Sequence, residues 1–316
     1  MILLLGSSGY IGQAFQQALQ ARHMTFVSVS RKELDYTKFP KLLQHLRETK
    51  ATFVINAAGF TGKPNVDACE TARADTLLGN TILPVTVANA CLAAGIPWGH
   101  VSSGCIFEGA KIFENGATRV EKNLMRPELK LLREKNPGAI RGFTEEDAPN
   151  FSFRQPPCSF YSGSKALAEE ALASAGEGFI WRLRIPFDEW DGSRNFLSKL
   201  QRYPKVYDNL NSLSHRRDFV EACLDLWERR APFGTYNVTN SGHVSSREVV
   251  QLIEKFLNPN RPFEFWASDE EFYRSGAHTP RSNCILDVSK LLATGVEMRP
   301  VQEALEDSLR NWKIFS

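Results

Sequence analysis

Tyr161 and Lys165 stand four residues apart in Phe160-Tyr161-Ser162-Gly163-Ser164-Lys165, so on a helix they share one face. A phenol with a pKa of about 10 is a poor proton donor to a carbonyl unless the phenolate it leaves behind is stabilised, and an ammonium one turn away does this. The pair suits protonation of a carbonyl oxygen while hydride arrives at its carbon. A further group able to donate to that oxygen is expected at a strand end, where Ser102 and Ser103 lie. Alternation along a strand points them to opposite sides, so only one can take part.

Hydride chemistry needs a dinucleotide, and the chain begins with a place to hold one. The apolar run Met1-Ile2-Leu3-Leu4-Leu5 reads as a buried parallel strand; Gly6-Ser7-Ser8-Gly9-Tyr10-Ile11-Gly12 follows, and apolar residues then recur at helical spacing at Ile11, Phe15, Ala18 and Leu19. Glycines at positions 6, 9 and 12 permit a tight turn whose backbone N–H groups meet a pyrophosphate at a helix N-terminus. Gly6, Ser8, Gly9, Tyr10, Ile11 and Gly12 are therefore expected at the cofactor, together with Lys165 on the nicotinamide ribose. The second strand ends in Ser28-Val29-Ser30-Arg31-Lys32 rather than in the acidic residue that would select NAD. Ser30 and Arg31 suit a 2′-phosphate, which predicts NADPH rather than NADH. Asn56, Ala57 and Ala58 close the third strand with small residues that allow close backbone approach, and Asn80 is assigned to tying sheet and helix together.

Strands are expected at Thr25 to Val29, Phe53 to Ala57, Gly99 to Ser103, Phe179 to Leu183 and Thr235 to Val238, alternating with helices. This alternation predicts an α/β chain with a doubly wound parallel Rossmann sheet and a smaller, discontinuous substrate-binding lobe. The boundaries read as a dinucleotide domain over 1–185, with one more strand near 235–240 and an insertion at about 109–143, and a substrate lobe over most of 186–316. The stretches Pro186 to Asn211 and Asn258 to Asn283 read as largely irregular. The insertion, charged and helix-prone, reads as a solvated surface excursion, or else as a lid or subunit contact.

Composition narrows the classes. The 316 residues carry 38 Lys+Arg against 36 Asp+Glu, a net charge of +2, so no field for a nucleic acid is evident. Six cysteines without a CxxC pair and six scattered histidines argue against a metal site and for a reduced, cytoplasmic protein. The apolar start is too short for a membrane span. A monomer or homodimer with no membrane partner is expected.

GxxGxxG, Asn56-Ala57-Ala58-Gly59, a strand-end serine and the Tyr161/Lys165 pair occur in the order found in extended short-chain dehydrogenases/reductases, which the chain resembles over nearly its whole length. Val101 to Gly109 is similar to the segment that carries the catalytic serine or threonine of dTDP-4-dehydrorhamnose reductases, which selects Ser103. Gly104-Cys105-Ile106-Phe107-Glu108, Phe143 to Phe151, Arg194-Asn195-Phe196 and Pro280-Arg281-Ser282-Asn283 resemble the plant-type nucleotide-rhamnose synthases, which are 3,5-epimerase/4-reductases. The resemblance implies a nucleoside-diphosphate-sugar substrate, Cys105 as the base that removes a proton beside a 4-keto group, Lys199 as the opposing acid, and Asn195, Arg217 and Arg281 at the substrate. Reduction without epimerisation, or a non-catalytic regulatory subunit, are the alternative readings of the same likeness. The segment between Cys105 and Tyr161 is longer than in those relatives.

Overall fold

The computed structural model describes residues 1–314. Its central sheet has six strands, β1 (Ile2–Leu5), β2 (Phe26–Val29), β3 (Phe53–Asn56), β4 (Trp98–Ser103), β5 (Gly178–Leu183) and β6 (Gly234–Asn237), in the spatial order β6-β5-β4-β3-β1-β2. β1 pairs in parallel with both β2 and β3, and β3 in parallel with β4. β1 and β3 are buried at every position because helices cover both faces, which is why their sequences are continuous apolar runs instead of alternating ones. The chain turns outward in opposite directions from β1, so the doubly wound order has its switch point between β1 and β3.

Two compact units divide the chain. One holds residues 1–106, 151–182 and 223–236; the other holds 107–150, 183–222 and 237–316. This corrects the boundaries read from sequence, because a segment between two strands can leave one core for another without a compositional break. In the first unit, α1 (Tyr10–Ala21) follows the glycine turn, α2 (Phe39–Thr49) follows β2, and α3 (Leu83–Ala94) precedes β4. Leu3, Leu5, Val54, Leu42, Leu46, Val87 and Ile180 are among the residues that meet in its core. The run Arg73–Ala94, of which α3 is the last part, is among the described residues the one helix long and apolar enough to cross a membrane. It packs against α2 and against α4 (Phe160–Leu172) within this unit.

The second unit corrects the reading of residues 109–143. Ala110–Glu114 pairs antiparallel with both Ala117–Glu121 and Ile140–Arg141, and Pro127–Lys135 forms a helix. Ala110, Ile112, Leu124, Leu129 and Ile140 are buried with Leu210 and Ile285 in one apolar cluster, so the segment is a built part of this unit's core and not a solvated excursion. Its alternating Ala110, Ile112 pattern was masked in the sequence by surrounding charge. The stretches expected to be irregular each contain a helix, α5 (Phe196–Arg202) and Asp269–Ser275, whose lengths fall below what periodicity resolves.

In this unit Phe143 to Asn150, of the family-like segment Phe143 to Phe151, form scaffolding. Asn150 exchanges hydrogen bonds with the Glu108 backbone at 2.8 and 2.9 Å, Glu145 accepts from the Asn237 N–H, and Asp147 pairs with Lys111. Phe143 stacks on Phe107 with centroids 4.7 Å apart.

Candidate active site

The cofactor end of the site lies at the carboxyl ends of β1, β2 and β3. Gly6 leaves β1 with φ +78°, a conformation that disfavours any side chain, and a Cβ there would stand 2.5 Å from the Ala58 nitrogen. Gly12 serves packing: a Cβ would fall 2.0 Å from the Gly6 carbonyl oxygen, so its absence lets α1 start hard against the turn. A cleft of about 410 Å³ opens here and is lined by Gly6, Ser8, Gly9, Ser30, Arg31 and Ala58, with Ala57 beside them. Sequence reasoning missed Tyr36, Thr37 and Phe60, which also line it and carry no motif. The one carboxylate of the Ser30 turn, Glu33, is bent back to accept the Ser30 N–H at 2.8 Å, leaving the Arg31 side on the cleft.

Of the residues assigned to the cofactor, Tyr10, Ile11, Gly12, Asn56 and Lys165 do not line this cleft. Asn56 is a correction with a clear cause: it is wholly buried, its Oδ1 accepts the Ala58 N–H at 3.1 Å, and its amide nitrogen lies 3.2 Å from His100 Nδ1. It shapes the turn rather than reaching into the cleft. Asn80 is architectural as expected, since its Oδ1 accepts from Phe60 N and its amide donates to Phe60 O and to Ser164 Oγ. It does so from a π-helical turn, Leu78–Ile82, which places the amide where a regular helix would not.

The reacting end is built by β4, the turn Gly104–Ile106 and α4, which pack together. Ser159 caps α4 by accepting the Ser162 N–H, so the helix begins at Phe160 and brings Tyr161 and Lys165 onto one face. Lys165 is buried, its ammonium donating to the Val101 carbonyl at 3.1 Å. Burial lowers its pKa to about 8, against the pull of Cys105 and Glu169 in the other direction. His100, on β4, is held neutral: burial and then the charge of Lys165 push its imidazole well below the usual range.

The two serines of β4 part as alternation requires. Ser102 is 2% exposed and donates to Glu169 Oε1, whereas Ser103 Oγ accepts the Cys105 N–H at 3.3 Å. Ser103 and Cys105 thus sit on one tight turn, with Cys105 within electrostatic range of Lys165. Glu169 itself is fixed by Arg182, whose Nη2 and Nε donate to Oε2 at 2.8 and 3.0 Å; the two side chains are 7% and 5% exposed. Glu169 was missed from sequence although its signal was present, since it stands four residues after Lys165 on the same helical face.

Residues of the second unit assigned to the substrate, and Lys199 assigned as the opposing acid, fare unevenly. Asn195 caps α5: its Oδ1 accepts from Leu197 N, and its amide donates to the Asp188 and Trp190 backbone oxygens. Fully buried and committed to that loop, it has no atom left for a diphosphate. Lys199, on α5, is half-buried, and burial followed by the nearby Arg194 charge lowers its pKa. Arg217 has an 80% exposed side chain and lines a surface hollow with His215, Asp218 and Arg299, where its nearest acid is Glu221 at 3.9 Å. Arg281 is half-buried, with its backbone N–H donated to the Tyr273 hydroxyl. Among the described residues no cluster of potential metal ligands occurs.

A strand-turn-helix cleft for a dinucleotide, followed by a tyrosine and buried lysine on one helix beside a strand-end serine, defines a Rossmann reductase of the short-chain type. The chain belongs to the RmlD substrate binding domain family, whose model matches residues 1–314. It is 30% identical, over 96% of its length and 90% of the relative's, to the bifunctional dTDP-4-dehydrorhamnose 3,5-epimerase/dTDP-4-dehydrorhamnose reductase of Arabidopsis thaliana. Two solved structures share the fold. The L780 UDP-rhamnose synthase of Acanthamoeba polyphaga mimivirus matches with a TM-score of 0.81 at 22% identity over 98% of both chains. A dTDP-4-dehydrorhamnose reductase of Bacillus anthracis, solved with NADP, matches with a TM-score of 0.75 at 22% identity over 98% of this chain and 97% of that one.

Proposed function

We propose that this protein is an NADPH-dependent enzyme of nucleotide-sugar metabolism that epimerises a nucleoside-diphospho-4-keto-6-deoxyhexose at C3 and C5 and then reduces C4, giving an activated deoxysugar such as NDP-L-rhamnose. The observation that carries the reading is the turn at the end of β4, where Ser103 and Cys105 are hydrogen-bonded to one another and Cys105 lies within electrostatic range of the buried Lys165. On this reading Cys105 is the base, Ser103 the donor to the carbonyl oxygen and Lys165 the cation that tunes Tyr161, all on a single pair of elements. Membership of the family and the likeness to the plant epimerase/reductase support it.

The 4-keto group acidifies the protons on C3 and C5. Cys105, as thiolate, removes one while Ser103 and Tyr161 donate hydrogen bonds to O4 and so stabilise the enolate. Lys199 returns a proton from the opposite side of the sugar ring; its depressed pKa makes it a stronger acid than an ordinary lysine. Tyr161 then gives its proton to O4, and Lys165 stabilises the phenolate that remains. The cleft residues Gly6, Ser8, Gly9 and Ala58 would hold the dinucleotide backbone and Ser30 and Arg31 its 2′-phosphate. When bound, NADPH supplies the hydride for C4.

Proton exchange in heavy water tests the epimerase half without turnover. Wild-type protein is expected to wash deuterium into the 4-keto sugar in the absence of NADPH. Cys105→Ser is expected to stop exchange while still reducing a ketosugar that has already been epimerised. Exchange by Cys105→Ser at the wild-type rate would remove Cys105 as the base. No exchange by the wild type, with reduction intact, would leave a 4-ketoreductase alone. Failure to consume NADPH with UDP-, dTDP- or GDP-linked 4-keto sugars would favour a regulatory subunit.

A further inference from the structure

Three arginines are buried among the described residues, and they do not have the same company. Arg182 is paired with Glu169 at 2.8 Å, and Arg216 with Asp188 at 2.8 Å. Arg184, 5% exposed, forms no ion pair with any carboxylate of the described residues. Its Nη2 donates to the Asn211 side-chain oxygen and to the Ser282 carbonyl, both neutral, while among the described residues buried Nε has no acceptor and Nη1 no partner. A buried guanidinium whose acceptors are all neutral is a group that an anion from outside the chain would pair.

The surroundings fix the group rather than let it swing to water. The Arg184 backbone is clamped to Ser214 in both directions, its N–H donating to Ser214 Oγ at 3.1 Å and its carbonyl accepting the Ser214 N–H at 2.7 Å. Asn211 is held in turn by Asn283 and by the Cys284 N–H, and the Ser282 hydroxyl donates to the Phe107 carbonyl. The next residue, Ile185, has φ +35°, a left-handed conformation that β-branched side chains avoid. Ile185 packs on the apolar cluster around Phe187 and Leu197, so the strain sits directly beside Arg184. The motif Pro280-Arg281-Ser282-Asn283, which sequence reading valued for its arginine, acts in this unit through Ser282 and Asn283 as the frame of Arg184.

We infer that Arg184 is a diphosphate-binding residue for the nucleotide substrate, in place of Asn195, whose polar atoms are taken up by the loop it caps. This rests on the proposed substrate class, whose diphosphate is its anionic part. A guanidinium with free N–H donors and no competing carboxylate suits a phosphate oxygen pair better than a lysine would.

The test is calorimetric binding of UDP and of dTDP to the full chain, with NADPH binding as the check on folding. Arg184→Met is expected to weaken the nucleoside diphosphate that the wild type binds by about 10- to 100-fold and leave NADPH unchanged. Asn211→Asp keeps Arg184 but gives it an internal carboxylate, and is expected to weaken the same nucleotide by about tenfold or more; it decides the matter should Arg184→Met fail to bind NADPH. Wild-type nucleotide affinity in both variants would overturn the inference, as would a wild type that binds neither UDP nor dTDP. Nucleotide binding lost on these substitutions, in a protein that reduces no 4-keto sugar, would leave Arg184 in place and sink the reaction instead.

Discussion

Raising the pH should switch off reduction through Lys165. The ammonium must be charged to stabilise the Tyr161 phenolate, and its burial brings the pKa down to about 8. From that value about nine-tenths of the protein carries the charge at pH 7 and about one-tenth at pH 9, so kcat/KM for the ketosugar should fall about tenfold between them, with a slope approaching −1 above. The groups facing the ammonium determine which substitutions move the limb. His100 from β4 is neutral, the Val101 carbonyl accepts a hydrogen bond from the ammonium, and Cys105 and Glu169 are the charges that raise the Lys165 pKa. Glu169→Gln therefore shifts the inflection to lower pH and Cys105→Ser shifts it the same way. Stopped-flow loss of NADPH absorbance across pH 6 to 10 reads this directly, with pre-epimerised sugar to isolate the hydride step. A rate that stays level to pH 10, or an inflection that rises in Glu169→Gln, would refute the assignment of burial as the cause.

Glu169→Gln should also cost about 3–5 kcal/mol of stability, because it removes the carboxylate charge that faces Arg182 in a site where both side chains are nearly inaccessible. In a thermal melt that is a fall of about 6–20 °C, and Ser102→Ala, which removes only a hydroxyl donor to the same carboxylate, should lose about 1 kcal/mol. Equal small losses for the two would mean that the pair is not a structural unit. Arg31→Glu should raise the KM for NADPH by about 10- to 100-fold and leave that for NADH nearly unchanged, measured at fixed ketosugar; parallel changes in both would place the 2′-phosphate elsewhere. Gly6→Ala forces a side chain into φ +78° against the Ala58 backbone, so fluorescence titration should find NADPH binding abolished or the protein destabilised by about 1–3 kcal/mol. Unchanged affinity and stability would show that the turn relaxes.

Glu169 gives the arrangement near Lys165 a physical logic. A lysine buried alone would lose its proton to desolvation, and one beside a bare carboxylate would sit in too deep an electrostatic well to lend its charge to a phenolate. Arg182 pairs with Glu169, while Cys105 and then Glu169 oppose the burial that lowers the Lys165 pKa. Ser102, excluded from catalysis by the side of β4 it occupies, completes the carboxylate's hydrogen bonds.

Residue order by itself determined the Rossmann sheet, because continuous apolar runs punctuated by Gly6, Gly9 and Gly12 have few other ways to bury themselves. It also determined the Tyr161/Lys165 face, since helical period and spacing are local properties, and the family likeness followed from the same short-range patterns. Only the tertiary structure decided matters that depend on which distant atoms reach a side chain. Asn195 and Arg184 are eleven residues apart and both polar; one is consumed by the turn it caps and the other is left with a charge unanswered. The alternating residues of 110–112 and the helix at 127–135 could be read as surface until Leu210 and Ile285 arrived from far along the chain to bury them. Burial and charge pairing are sums over non-local neighbours, and a sequence shows each residue only beside its own.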